Sequence, residues 1–503
     1  MRPFYPAVLL LALVSTVRAE VTLAPLFTDH AVLQCDKPVP VWGRAAAGEK
    51  VAVSFRGQAL DTVADAEGRW SVMLAPLTAT GEAADFVVQG TNLITLHDVV
   101  VGEVWLASGQ SNMEWPLKSA ANAAAEIAAA NFPLIRHLRI ERTSVVQPAA
   151  DVKTGGWERA TPETAGGFTA VGYFFARDLH RKLGVPVGIV HSAWGGTPIE
   201  SWIALEALKA TSVYPAVDAR WQKAVAEFPE RQKNWPAETA AWKAAEEKAR
   251  ATHTKNPLTW PVAPAGPGTA YARAGLYNGM IAPLQPMALR GVIWYQGESN
   301  WPRASEYAEL FSTLIRSWRA AWGEGELPFL FVQLPNYEVP NDPTGRGWAH
   351  LREAQAKALA LPGTGMAVMI DAGEAKNLHP TNKQEPGRRL ALLAKSLVYG
   401  LTTDCMGPTF VSATREHAAL RVRFQHAATG LVAHNRPVQS LEIAGADKVF
   451  HPATGVIERG TLLVSSPAVK EPVAVRYAWT NAPTANLFNG SGLPAAPFRS
   501  DDW

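Results

Sequence analysis

Beyond its N-terminal segment the chain has no apolar run long enough to cross a bilayer, so no membrane-spanning helix is expected there. A surplus of one charge is also missing, since Lys+Arg 47 against Asp+Glu 45 leaves +2. Nucleic-acid binders carry a basic excess, so that class is not indicated. Cysteine is scarce, with only Cys35 and Cys405. They lie far apart and neither sits near a promising histidine, which removes the footing for cysteine-based metal or nucleophile chemistry. Pairing and separate thiols both stay open. Neither H-E-x-x-H nor C-x-x-C spacing occurs, and there is no G-x-x-x-x-G-K-[ST] phosphate loop. No metal and no cofactor is expected.

What is present suits a soluble globular protein, with 48% apolar and 18% charged residues over 503 positions. That length fits two or three domains. The 18 Trp residues are many; most suit a core, and some suit stacking on sugar rings. Arg2, the apolar run Ala7 to Val14 and the small-residue site Val17-Arg18-Ala19 read as a signal peptide. The mature chain then starts near Glu20, and the product is expected outside the cytoplasm, periplasmic or extracellular.

From Val21 to about Asp98 short alternating runs separated by Gly, Asp and Pro predict a β-sandwich, residues 20–99. From Val101 the rhythm changes to alternating strands and helices. Strands are expected at 101–107, 185–191, 291–295, 328–334 and 366–370. Helices are expected at 120–130, 174–183, 305–322, 351–361 and 383–398. This alternation predicts an α/β domain over 100–405, a parallel sheet with helices on both faces. A charged, Ala- and Trp-rich stretch at about 214–261 reads as a helical insertion, and β pattern returns over 406–503.

Ligands of such sheets bind beyond the carboxyl ends of the strands. Four polar, Gly-containing segments fall there: Ser108 to Met113, His191 to Glu200, Gln296 to Asn300, and Asp371 to Pro380. Gly109 permits a tight turn that exposes the Ser111 hydroxyl near a helix N-terminus, although a serine there is also a common N-cap. The G-x-S-x-G elbow is absent, so this is not the usual α/β-hydrolase pattern. His379 is the favoured base, since it follows a strand and precedes a helix on the same sheet edge. Asp371 and Glu374 are candidate partners for it. Gly195, Gly196 and Gln296 are candidate oxyanion donors. Trp115, Trp194 and Trp301 are candidate sugar platforms, with Glu298 and Asn300 as polar contacts.

At these residues the sequence resembles the sialate O-acetylesterase family, a carbohydrate-esterase branch of the SGNH/GDSL hydrolases. The matching motifs are Gly109-Gln110-Ser111-Asn112-Met113, Trp194 to Glu200, Trp294 to Asn300, and His379-Pro380 followed by Asn382-Lys383-Gln384. Tyr277 to Met280 and Ala485 to Asp501 add to them, so the resemblance covers nearly the whole mature chain. It implies an SGNH-type three-layer α/β/α domain with accessory β-sandwich elements, and metal-free hydrolysis of O-acetyl esters on a sugar or glycan. It also implies Ser111 as nucleophile, His379 as base, and an oxyanion site formed by the Ser111 N–H, Gly195-Gly196 and Gln296. Relatives commonly carry aspartates before the His-Pro pair, where this chain has Glu374 and Asn377. Glu374, Asp371 and a Ser–His dyad therefore stand as alternatives. Rival readings are an acetylxylan or other plant-polysaccharide esterase and a non-catalytic glycan-binding protein. No carboxylate-binding site is evident; Arg273, Arg303 and Arg346 are possible anchors.

Overall fold

The computed structural model describes residues 20–401 and 404–503, so the expected leader at 1–19 lies outside the described residues. Its axis is one long strand, β1 (Leu93–Gly109), buried without interruption from Val99 to Gly109. The first half of β1 pairs antiparallel with Thr80–Gln89 of the N-terminal β-sandwich. Its second half lies at the centre of the α/β sheet. The strand is continuous across residues 99 and 100, so sandwich and α/β layers share one ribbon of backbone.

The α/β part adds β2 (Phe132–Ile140), β3 (Thr154–Ala160), β4 (Val187–Ala193), β5 (Gly291–Tyr295), β6 (Phe329–Gln333) and β7 (Thr364–Val368). Their order is β3-β2-β4-β1-β5-β6-β7, parallel except for the β3 edge. The chain builds first to one side of β1 and then to the other, which makes the carboxyl end of β1 a topological switch point.

Helices α1 (Ser111–Glu114), α2 (Ala170–Leu183), α3 (Tyr214–Ala251), α4 (Ala304–Trp322), α5 (Gly347–Ala356) and α6 (Gln384–Leu397) complete this part. The pairs α2 with α6 and α4 with α5 pack together and form the two outer layers. Their buried stripes explain this, as in Leu390, Ala391, Leu393 and Ala394 of α6. The expected helical insertion is α3, 38 residues long despite Pro229 and Pro236 within it. Residues beyond 406 form further antiparallel sheets. No described helix is long and apolar enough to cross a membrane. Both cysteines are free thiols, Cys35 being buried.

Strands β2 and β3 were not apparent from the sequence. Phe132-Pro133-Leu134-Ile135-Arg136-His137 hides its character because Arg136 and His137 are themselves buried. Arg136 is satisfied by Asp98, whose carboxylate accepts from its Nη2 at 2.9 Å. His137 stacks on Phe168 at 4.4 Å and faces His191 of β4 at 5.2 Å. The ring nitrogens of both histidines have no hydrogen-bond partner among the described residues.

Burial, with Arg139 next, pushes His137 down to about 3. Burial, then His137 and the nearby arginines, holds His191 well below its ordinary range. The unfolded chain protonates both rings below pH ~6.5, whereas the fold excludes those protons. Stability is therefore lost as pH falls from that point, by about 1.4 kcal/mol per pH unit for each ring. His137→Phe should show a smaller drop in urea-unfolding free energy between pH 7 and pH 5 than the parent protein. Equal drops would contradict this.

Candidate active site

The turn after β1 depends on Gly109, at φ +135°. A Cβ there would lie 2.1 Å from Tyr295 O, so glycine alone lets β1 and β5 close together. Gln110 N–H donates to Tyr295 O at 3.0 Å. Its buried side chain accepts from the Gly297 and Ser299 N–H groups at 3.4 and 3.3 Å. Helix α1 then starts with Ser111.

His379 comes from the loop between β7 and α6, and its Nε2 lies 2.8 Å from Ser111 Oγ. The imidazole stacks on Trp115 at 5.0 Å and 19°. Its backbone N–H donates to Asn377 Oδ1 at 3.0 Å. The two carboxylates considered as its partner are engaged elsewhere. Asp371 accepts from Arg389 Nη1 and Nη2 at 2.7 Å each, the counter-charge that a nearly buried guanidinium requires. Glu374 accepts from the Thr381 N–H at 2.7 Å, the Thr381 hydroxyl at 3.0 Å and Asn377 Nδ2 at 2.9 Å, which ties the His379 loop. Among the described residues no carboxylate bonds to the His379 ring.

The expected oxyanion residues separate in the same way. Gly195 packs on Ser111, its Cβ position 3.1 Å from Ser111 Cβ, but its N–H donates to Glu114 Oε2 at 2.9 Å. Gly196 follows at φ +77°. Its N–H and that of Ser111 have no internal partner among the described residues. Gln296 is fully buried and donates its amide hydrogens to Thr197 O at 3.1 Å and Asn300 Oδ1 at 2.8 Å. Asn300 binds the Ile199 N–H and Glu200. Gln296 and Asn300 thus hold loops together and present nothing to the pocket.

A pocket of about 390 Å³ opens over Ser111 and His379, with Trp115, Glu114, Lys118, Arg139 and Arg142 around it. Trp301 lines a different cavity, beside Gly347. Trp194 lies under Arg142, whose guanidinium is 5.7 Å from its ring centre.

A family model described as carbohydrate esterase, sialic acid-specific acetylesterase, matches residues 101–234 and 261–394. The chain belongs to this family. It is 31% identical to the sialate O-acetylesterase of Rattus norvegicus, over 95% of this chain and 94% of that one. The Mus musculus sialate O-acetylesterase is 29% identical over 94% and 93% of the two chains. The crystal structure of a carbohydrate acetylesterase from Xanthomonas citri is 41% identical, covers 96% of this chain and 100% of that one, and superposes with a TM-score of 0.82. The protein is thus a carbohydrate esterase that hydrolyses O-acetyl esters. The stretch between the two matched segments contains the distal part of α3.

Beneath the serine of this esterase runs a buried polar chain that the sequence showed only as fragments. Lys383 Nζ donates to Asn112 Oδ1. Asn112 Nδ2 donates to Glu298 Oε1 at 2.5 Å and to Leu378 O at 3.1 Å. Glu298 therefore braces the Ser111 turn from below, its pKa raised by burial. Burial pushes Lys383 down to about 7, opposed by Glu298 and Glu374. His379 lies below its ordinary range through burial first and the Lys383 charge second. Below pH 7 Lys383 is charged, so Lys383→Met should raise the midpoint of the His379 ring titration followed by NMR. A midpoint that stays put or falls would show that the ammonium does not act on the imidazole.

Proposed function

We propose that the protein is an exported serine esterase that removes O-acetyl groups from sialic acid. The observation that carries the catalytic assignment is the 2.8 Å contact between Ser111 Oγ and His379 Nε2 inside an open pocket. The names of the mammalian relatives support the sugar, and the N-terminal segment supports export.

In this reading His379 Nε2 takes the Ser111 proton as Oγ attacks the acetyl carbonyl carbon. The resulting oxyanion is received by the Ser111 and Gly196 N–H groups, which have no internal partner. Collapse breaks the bond to the sugar oxygen, and His379 returns its proton to that leaving group. Water then attacks the acetyl-serine as His379 accepts its proton; collapse breaks the bond between Ser111 Oγ and the acetyl carbon, His379 returns the proton to Oγ, and acetate leaves. The imidazole is held by the Trp115 stack and by its tied loop, in a Ser–His dyad.

Acetate release from O-acetylated sialic acid, compared with acetylated xylan, tests the assignment. The expected result is release from the sialic acid, abolished in Ser111→Ala. Release from xylan alone would give the enzyme to the plant-polysaccharide reading. Loss of a triad acid costs ~10⁴-fold in kcat. Asp371→Asn should instead lower the melting temperature, by removing the counter-charge at Arg389 Nη1 and Nη2 and leaving only Glu385 on Nε, while kcat stays within about tenfold. A loss near 10⁴-fold would restore Asp371 as the acid.

A further inference from the structure

The pocket over Ser111 carries an unbalanced charge. Lys118, Arg139 and Arg142 line it, and Glu114 is the single carboxylate among its lining residues. Glu114 Oε1 accepts from Arg142 Nε at 2.7 Å and lies 3.8 Å from Arg139 Nη2, while its Oε2 takes the Gly195 N–H. One acid thus orients two guanidinium groups and neutralises only one of them. Both stay open to solvent, with side-chain exposures of 56% for Arg139 and 48% for Arg142.

The other arginines considered as anchors are differently placed. Arg273 pairs with Asp218, Arg303 with Glu200 and Arg346 with Glu442. None of these lines the nucleophile's pocket.

Position favours a ligand role for the surplus. Arg139 lies near the carboxyl end of β2, opposite His191 of β4, which in turn pairs with Ala107 of β1. Two strand spacings, about 10 Å, separate β2 from β1. That is the span of one acetylated sugar ring with its substituents. Trp194 supports Arg142 from behind, so the guanidinium is oriented before any ligand arrives.

We propose that Arg139 and Arg142, with Lys118 beside them, form an anion subsite that binds the carboxylate of an O-acetylated acidic sugar while its ester lies at Ser111. This rests on the assignment of Ser111 as the nucleophile. A neutral sugar gives these cations only hydroxyl acceptors like the water it displaces, whereas a carboxylate accepts stronger charge-assisted hydrogen bonds from both. Specificity then arises at the rim, since the acetyl group is common to every substrate.

The test compares O-acetylated sialic acid with its neutral carboxamide analogue, using p-nitrophenyl acetate as a substrate without a sugar. The parent enzyme should favour the free acid in kcat/KM by about 10- to 100-fold, the size of a hydrogen bond to a charged group. That preference should shrink with added salt. In Arg139→Gln/Arg142→Gln the ratio should fall to about one, while Arg139→Lys/Arg142→Lys should keep part of it. If the double variant does not fold, Arg139→Gln alone, at the more exposed position, should reduce the ratio. A parent ratio near one, or a ratio untouched by the glutamines, overturns the subsite. Failure of the parent to turn over p-nitrophenyl acetate would instead overturn the esterase assignment on which it rests.

Discussion

The close approach of β1 and β5 at Gly109 is the constraint on which the site depends. Because no Cβ intervenes, Gln110 can bond back to Tyr295 and hold the Gly297 and Ser299 amides with its side chain. The chain then has nowhere to go but into α1, with Ser111 at the sheet mouth. Gly195 on β4's side completes the cradle, since any larger residue would crowd the serine. Two neighbouring strands therefore aim Ser111 independently of the His379 loop.

The polar groups around that turn divide into structural and accessible sets. Gln296, Asn300 and Glu298 look catalytic in a list of motifs, yet all three are buried and bonded inward. Unpaired buried polar groups are costly, so a network of this kind fixes loop positions closely when its members are satisfied. Glu298 keeps one oxygen without a partner among the described residues, beside the Lys383–Asn112 link. What faces the pocket is a smaller set: Ser111, His379, Trp115 and the basic rim with Glu114.

Much of this was legible in the sequence because it follows local rules. The strand expected at 291–295 and the helices expected at 305–322 and 383–398 agree with β5, α4 and α6 to within a residue at each end. Their apolar periods are clean, and Gly323 ends α4 in a left-handed turn at φ +66°. Strand β2 is hidden because Arg136 and His137 interrupt the apolar pattern, and their burial depends on Asp98, Phe168 and His191 from elsewhere in the chain; β3 is hidden because Gly155, Gly156, Glu158 and Arg159 leave it no apolar alternation. Without β2 in the pattern, nothing in the sequence sets Arg139 and Arg142 at the sheet edge or apart from Arg273, Arg303 and Arg346.

The sequence by itself determined the α/β class and the tight turn at Gly109-Gln110-Ser111, because glycine turns and periodic burial are written locally. Only the tertiary structure decided which carboxylates are free. Asp371 and Glu374 both precede His379 closely in the chain, but Arg389 claims one and Thr381 with Asn377 claims the other. It also decided which arginines face the serine, since a charge is quenched or left in surplus by whatever folds against it.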